Sequence, residues 1–417
     1  MRAAISASNF RLADDPDTAD IVVVNTCSFI QDATEESLGV VLDLAAQWLP
    51  ERVGRHIVVA GCMPSRYGED LADALPEVAA FVSVADESAL PAVLERVTGI
   101  AAEAGARAGA AMASTRTRKS VGPSAYLQIA DGCHRTCSYC TIPSIRGPYA
   151  SRPLKSIVAE AAELVDLGAR ELVLIGQDIT AYGRDLDSAE TLADVVSAVA
   201  VVPGVDWLRL MYVQPDGVTD ELLRAMTDNP NVVHYLDIPL QHAAKPVLRA
   251  MRRSGDAGSF LDLLARIRRA MPDVVLRTTL IAGFPGETAA DVRELQRFLA
   301  AADFDYVGVF VYSPEDGTAA ATLPAQVPLR TRRARAQRLR DLADTSGFAR
   351  AASHVGRTVE VLVEGIDEDE GVIVGRWRGQ APEIDGLVLL DSGRAGEIVS
   401  ARIVDSAGYD LEGEVLR

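Results

Sequence analysis

Three of the five cysteines in this 417-residue chain fall close together, at Cys133, Cys137 and Cys140 in the string DGCHRTCSYC. Three thiolates on one compact loop can ligate three irons of a cubane cluster, which leaves the fourth iron without a protein ligand. An open iron of that kind can chelate the amino and carboxylate groups of S-adenosylmethionine (SAM). When the [4Fe–4S] cluster is reduced, one electron can pass into the sulfonium, so that the C–S bond breaks and a 5′-deoxyadenosyl radical forms. The competing reading is structural zinc, which uses four closed ligands, commonly in CxxC pairs. Here the fourth ligand would have to be His134, strained beside Cys133, and ferredoxin-type clusters use other spacings. The remaining cysteines, Cys27 and Cys62, each follow a short apolar run, IVVVNT at 21–26 and IVVA at 57–60. A buried cysteine is most often structural, but two at the ends of adjacent parallel strands suit ligation better.

The elements that must position these thiols are legible in the apolar periodicity. Strands at 21–26, 57–60 and 82–84 alternate with helices at 31–48, 65–75 and 86–97, which makes an open α/β domain over 1–98. Residues 99–123, rich in Ala, Gly, Ser and Arg without an apolar stripe, read as a linker. From 124 a longer alternation begins, with six strands near 124–130, 171–175, 207–212, 234–238, 274–282 and 305–311 and helices between them. That pattern fits a partial parallel (β/α) barrel, in which chemistry sits at the carboxyl ends of the strands. The cysteine loop at 131–148 follows the first of them. An Arg-rich helix at 329–353 closes the 124–353 domain, either as a solvated face or as a brace. Five short strands after His354 make a small all-β, OB-like barrel over 354–417.

The chain carries a net charge of −18, with 24% charged and 48% apolar residues, as a globular protein does. No apolar run is long enough for a membrane span, and the start lacks the apolar core of a secretory signal, so a cytoplasmic protein is expected. An odd, small cysteine count in a chain of this length argues against a disulfide framework. The acidic balance disfavours nucleic acid and favours basic partners.

The cysteine motif and the TIPSIRG that follows it resemble the methylthiotransferase branch of the radical SAM superfamily. The resemblance runs through the whole chain. IVVVNTCSFI and VVAGCMP resemble that family's N-terminal domain; LIGQDITAYG, YLDIPLQHA and TTLIAGFPGET its radical SAM barrel; residues 354–417 its TRAM barrel. DIPLQHA, SPEDGT and APEIDG are similar to the branch that modifies a protein, adding a methylthio group to the β-carbon of an aspartate on small-subunit ribosomal protein S-twelve. Charge agrees with that branch. Residues 356–417 hold 14 Asp and Glu against 6 Arg and no Lys, a net −8, whereas a barrel that grips tRNA should be basic.

The resemblance implies further expectations. Family members build a second [4Fe–4S] cluster from three N-terminal cysteines; Cys27 and Cys62 match two of them, and the position of the third falls before Met1. RAAISASNFRLADDPDTAD then reads as the end of a first helix and its loop, with either a truncated start or a two-cysteine variant of the site. The superfamily binds the SAM amino group where Gly176, Gln177 and Asp178 stand, Gln241 ends a later strand, and Gly283 lies where the adenine usually packs. His242 has a general-acid reading, but a lone His is more often a hydrogen-bonded structural residue; no catalytic residue is assigned. The expected partners are the basic ribosomal protein and an electron donor, with tRNA and membranes unlikely. Two rivals stand beside this reading. One is a tRNA adenosine methylthiotransferase; the other is a cluster- and SAM-binding protein left inactive by an incomplete N-terminal site.

Overall fold

The computed structural model describes residues 1, 5, 8, 10–13, 15–99, 121–369 and 371–416, and they fall into two compact units. The expected linker at 99–123 lies, but for its ends, outside the described residues, as do seven positions of the opening segment.

The first unit gathers three stretches of chain: the described residues of Met1–Lys119, then Gly132–Pro148 and Ser313–Ala321. Its parallel sheet has the order β1 (Ile21–Thr26), β2 (His56–Gly61), β3 (Val78–Ser83). The central strand is apolar on both faces because both are covered. Ile57 and Val59 pack with Val41, Trp48 and Met63, while Val58 and Ala60 pack with Val82, Leu90 and Leu94. β3 begins ahead of the expected 82–84, because pairing with β2 recruits Val78 to Phe81 although the two alanines carry little strand propensity. The expected 31–48 helix is Gln31–Asp43 running into a π turn at Leu44–Trp48. The expected 65–75 helix is divided at Gly68, whose φ is +56°.

The second unit holds the remaining chain. Its main sheet contains β4 (Ser124–Gln128), β7 (Glu171–Ile175), β8 (Trp207–Leu210), β9 (Val232–Asp237), β10 (Val275–Ala282) and β11 (Tyr306–Val311) in the order β11-β10-β9-β8-β7-β4. Every pairing in it is parallel. Between β4 and β7 lie the two-residue strands β5 (Ala130–Asp131) and β6 (Ala150–Ser151), paired antiparallel. Amphipathic helices join the strands and bury residues such as Ile157, Leu164, Val195 and Leu222. The six-stranded half-barrel is thus the expected architecture.

Strands β12 (Thr358–Ile366), β13 (Ile373–Trp377), β14 (Val388–Leu390), β15 (Ile398–Ala407) and β16 (Asp410–Val415) close into a barrel of order β12-β13-β14-β16-β15. This barrel packs on the sheet: Leu362 and Ala381 share a core with Val173, Trp207, Val233 and Tyr235. Glu171, fully buried, lies between the guanidiniums of Arg209 and Arg376, which reach it from the sheet and from the barrel. Burial alone would raise the Glu171 carboxyl, but the two guanidiniums outweigh it and hold it down at about 2. The Arg-rich helix Leu329–Ala352 is a brace and not a solvated face. Arg335 pairs with Glu287 at 2.8 Å, Arg340 donates to the Val309 carbonyl, and Arg350 pairs with Asp303 and Asp305.

Candidate functional site

The cysteine segment leaves the sheet at the carboxyl end of β4, and the β5–β6 pair ties its two ends together (Ala130 opposite Ser151, Asp131 opposite Ala150). Gly132 has φ +72°, and a Cβ there would lie 2.2 Å from the Pro148 carbonyl oxygen, so only glycine lets the arms of the segment approach this closely. The Cys133 amide donates to the Gly147 carbonyl at 3.3 Å, and the Cys140 amide to the Cys137 carbonyl at 3.2 Å. The Arg135 amide donates to Cys133 Sγ at 3.4 Å, a contact that favours the thiolate. All three thiols are partly accessible, and His134 is exposed.

The chemistry of this donor set fits an iron–sulfur cluster. From Gly132 to Pro148 the chain has three soft sulfurs, two arginines, one histidine and no carboxylate, as suits an anionic thiolate cluster. Among the described residues no three His, Cys, Asp or Glu side chains, these thiols included, are gathered so as to hold a single metal ion.

Cys27 and Cys62 leave β1 and β2 side by side, because Thr26 and Gly61 are register partners. Gly61, at φ +101°, has no room for a Cβ beside Asn25 Oδ1 and the Thr26 carbonyl, both 2.8 Å away. Thr26 Oγ1 donates to the Ala60 carbonyl and accepts from the Met63 amide, which fixes the turn into the Cys62–Tyr67 helix. Ser37 holds Cys27 through both its backbone amide and its carbonyl. Burial pushes the Cys62 thiol up, the Arg146 guanidinium beside it pulls it down, and Cys27 pushes it up again. Arg146 ends the short Ile142–Arg146 helix that follows Cys140, and Thr141 Oγ1 donates to the Phe29 carbonyl at 3.1 Å. The five cysteines thus belong to one compact unit, and a side chain from the loop of three touches the strand-end pair.

A buried ion pair secures the pair further. Arg66 donates to the Ser28 carbonyl at 2.7 Å and to Glu315 Oε2 at 2.8 Å, while Glu315 Oε1 accepts the Gln31 amide at 2.9 Å. Sequence reasoning missed Arg66, Arg146 and Glu315. Its only signals were the strings TIPSIRG and SPEDGT, and nothing local tells that a glutamate 249 residues downstream pairs with Arg66.

In the second unit Gly176, Gln177 and Asp178 follow β7. Gln177 Oε1 is buried and has no hydrogen-bond partner among the described residues, an acceptor suited to an N–H donor. The Asp178 carboxylate accepts from the Thr180 amide and hydroxyl and so caps the Ile179–Ala181 turn. Gln241 sits at φ +71° and bridges to β10: its amide donates to the Thr279 carbonyl at 2.8 Å, and its carbonyl accepts from the Ile281 amide at 2.7 Å. His242 is fully buried; its Nδ1 accepts from the Ala244 amide, and its Nε2 lies 3.5 Å from Glu287. That is the structural histidine, not an accessible acid. At Gly283, φ is +82° and a Cβ would lie 2.4 Å from Arg332 Cγ, so close packing alone requires glycine there.

The APEIDG loop of the barrel reaches the same sheet. Its Asp385 carboxylate is buried. It accepts from Tyr235 Oη at 2.8 Å and from the Ala381 amide at 2.9 Å, and lies 3.5 Å from Arg277. Arg277 also pairs with Asp237 at 3.0 Å. Glu383, by contrast, is exposed, and it accepts from Tyr126 Oη at 3.2 Å. Burial and the Glu383 carboxylate push the Tyr126 phenol up to about 12.

Comparison with known proteins agrees with this architecture. The radical SAM superfamily profile matches residues 127–299, the TRAM domain residues 355–416, and an uncharacterized protein family, UPF0004, residues 1–83. The solved structure of a radical SAM methyltransferase, TsrM from Kitasatospora setae with cobalamin and a [4Fe-4S] cluster bound, superposes with a TM-score of 0.54. It is 16% identical and covers 74% of this chain and 68% of that one, a likeness of fold. Among curated proteins, ribosomal protein uS12 methylthiotransferase RimO of Geobacter sulfurreducens is 43% identical over all of this chain and 94% of its own length. RimO of Pelobacter propionicus is 42% identical with the same coverage, and that of Sorangium cellulosum 43% identical over 87% of its length. Sheet, cysteine loop and barrel together define a radical SAM enzyme with a C-terminal TRAM domain, and its chemistry is that of a transferase. Within that class, the chain belongs to the family of ribosomal protein uS12 methylthiotransferases.

Proposed function

We propose that this chain methylthiolates the β-carbon of an aspartate on ribosomal protein uS12 in the cytoplasm, drawing on SAM and an external electron donor. One observation carries the reading beyond family membership: the loop of three cysteines and the strand-end pair occupy one compact unit, with Arg146 of the loop touching Cys62. In this reading Cys133, Cys137 and Cys140 hold a [4Fe–4S] cluster, and Cys27 and Cys62 are ligands of a second. When bound, such clusters supply the electron that cleaves SAM reductively and a site for the sulfur to be transferred. The chain's own residues do the rest. The Arg135 amide stabilises the Cys133 thiolate, and the buried Gln177 Oε1 accepts a hydrogen bond from the SAM amino group. Gly176 and Asp178 after β7, Gln241 after β9 and Gly283 after β10 are assigned with it to the SAM site. The test is mass spectrometry of uS12 and of bulk tRNA from a deletion strain complemented with this chain. A gain of one methylthio group on uS12 is expected; its appearance on tRNA instead would move the chain to the nucleic-acid-modifying branch.

A further inference from the structure

Among the described residues six non-glycine residues lie in the left-handed region, and Tyr212 (φ 61°), Gln241 (φ 71°) and Glu383 (φ 68°) are three of them. That conformation costs free energy in a residue with a Cβ, and such strain concentrates at binding and catalytic sites. Gln241 borders the proposed SAM place. Tyr212 and Glu383 face a different task. Tyr212 follows β8 at its carboxyl end, Tyr126 lies on β4, and Glu383 comes from the C-terminal barrel. Tyr126 and Tyr212 are each over 40% exposed, as is Ile384 beside Glu383. The Glu383 carboxylate acts on both phenols.

The loop that carries Glu383 is anchored on both sides. Ala381 and Pro382 are buried, Asp385 binds Tyr235, and the Ala381 amide closes the loop on Asp385. Its tip is therefore held in place before any partner arrives. The neighbouring carboxylates already have cations: Glu171 has Arg209 and Arg376, while Asp237 and Asp385 share Arg277. Among the described residues Glu383 has no cationic partner, only the Tyr126 hydroxyl. A fixed, uncompensated carboxylate with two tyrosine rings and an isoleucine around it matches an alkyl chain that ends in a positive charge. The carboxylate and the ring faces attract the charge, and the apolar surfaces cover the stem.

We propose that Glu383, flanked by Tyr126 and Tyr212, is a specificity residue that receives a Lys or Arg side chain of the substrate protein next to the reacting aspartate. The inference rests on the uS12 reading above and names a contact within it. The TRAM barrel then selects the substrate through one carboxylate at a defined place on the sheet, in addition to its overall acidity.

The experiment uses the full chain, reconstituted anaerobically, with uS12 and with uS12 variants in which each Lys or Arg flanking the modified aspartate is changed singly to Glu. Glu383→Gln is expected to raise KM for uS12 about ten-fold while kcat stays within about two-fold and KM for SAM does not move. Glu383→Lys is expected to lose native uS12 and to recover one of the charge-reversed substrates. Thermal melts establish that the variants fold, and Glu383→Gly, which also relieves the backbone, serves if Glu383→Gln does not. An unchanged KM for uS12 in Glu383→Gln, a rise in KM for SAM in its place, or failure of every reversed substrate with Glu383→Lys would overturn the proposal. If the wild-type chain itself leaves uS12 unmodified, it is the functional reading that fails, and this contact falls with it.

Discussion

At the scale of single residues, chemistry was written in the chain more plainly than geometry. The spacing of Cys133, Cys137 and Cys140 is the ground for the proposed ligand set, because three thiolates so close in sequence have few other uses. Replacing all three by Ala is expected to abolish 5′-deoxyadenosine formation and to lower the iron content by about four atoms per chain; continued SAM cleavage by the triple variant would refute the assignment. Partners distant in sequence were not legible. Arg146 stands six residues after Cys140, yet nothing in TIPSIRG says that its guanidinium meets Cys62. Gly283 taught the opposite lesson. It resembled a ligand-binding glycine, and the structure supplies a sufficient reason for it in the Arg332 stem.

At the scale of elements, alternation of apolar runs located nearly every strand and helix, because each must bury one face or both. What it left open was the use of polar faces. The Arg-rich helix Leu329–Ala352 is polar almost all round, so periodicity alone could not tell solvent from brace; its arginines hold Glu287 in the loop after β10 and the Val309 carbonyl within β11. The Ser313–Ala321 segment was equally opaque, since its value lies in Glu315, buried against Arg66 and the first amide of the Gln31–Asp43 helix. Glu315→Gln leaves the Arg66 charge buried without its counter-ion. A loss of about 3–5 kcal/mol in unfolding free energy is expected, read by chemical denaturation. Iron bound at Cys27 and Cys62 should fall with it, while iron at the loop of three is retained. A variant as stable as wild type would show the pair to be idle.

At the scale of the whole molecule, the three-part organisation was readable from changes in pattern, but the seam between sheet and barrel was not. Glu171 lies in an apolar strand string, ELVLI, and its two arginines arrive from 38 and 205 residues away. With its carboxyl held at about 2 against an ordinary 4.5, the stability it confers is complete above pH 4.5 and is lost as the pH falls through about 2. Glu171→Gln is therefore expected to destabilise the protein by about 3–5 kcal/mol at neutral pH. Its gap from wild type should narrow as the pH approaches 2, which denaturation curves across that range would show; a gap that stays constant with pH would contradict the assignment. The charge of the C-terminal barrel, −8 over 356–417, belongs to the same scale. Titration of the full chain with uS12 and with bulk tRNA is expected to show tighter binding to the protein and a gain that shrinks as salt is added. Tighter binding to tRNA at both low and moderate salt would contradict the charge argument.

The unit that holds all five cysteines is assembled from three separated stretches, and its last piece, Ser313–Ala321, is joined to the Gln31–Asp43 helix by a hydrogen bond spanning 284 residues. A chain emerging from the ribosome cannot complete that unit until most of it has been translated. If Cys27 and Cys62 hold a cluster as proposed, the loop of three and the Glu315 segment join them only late in synthesis, so that iron and sulfide are expected to be secured on a nearly finished polypeptide.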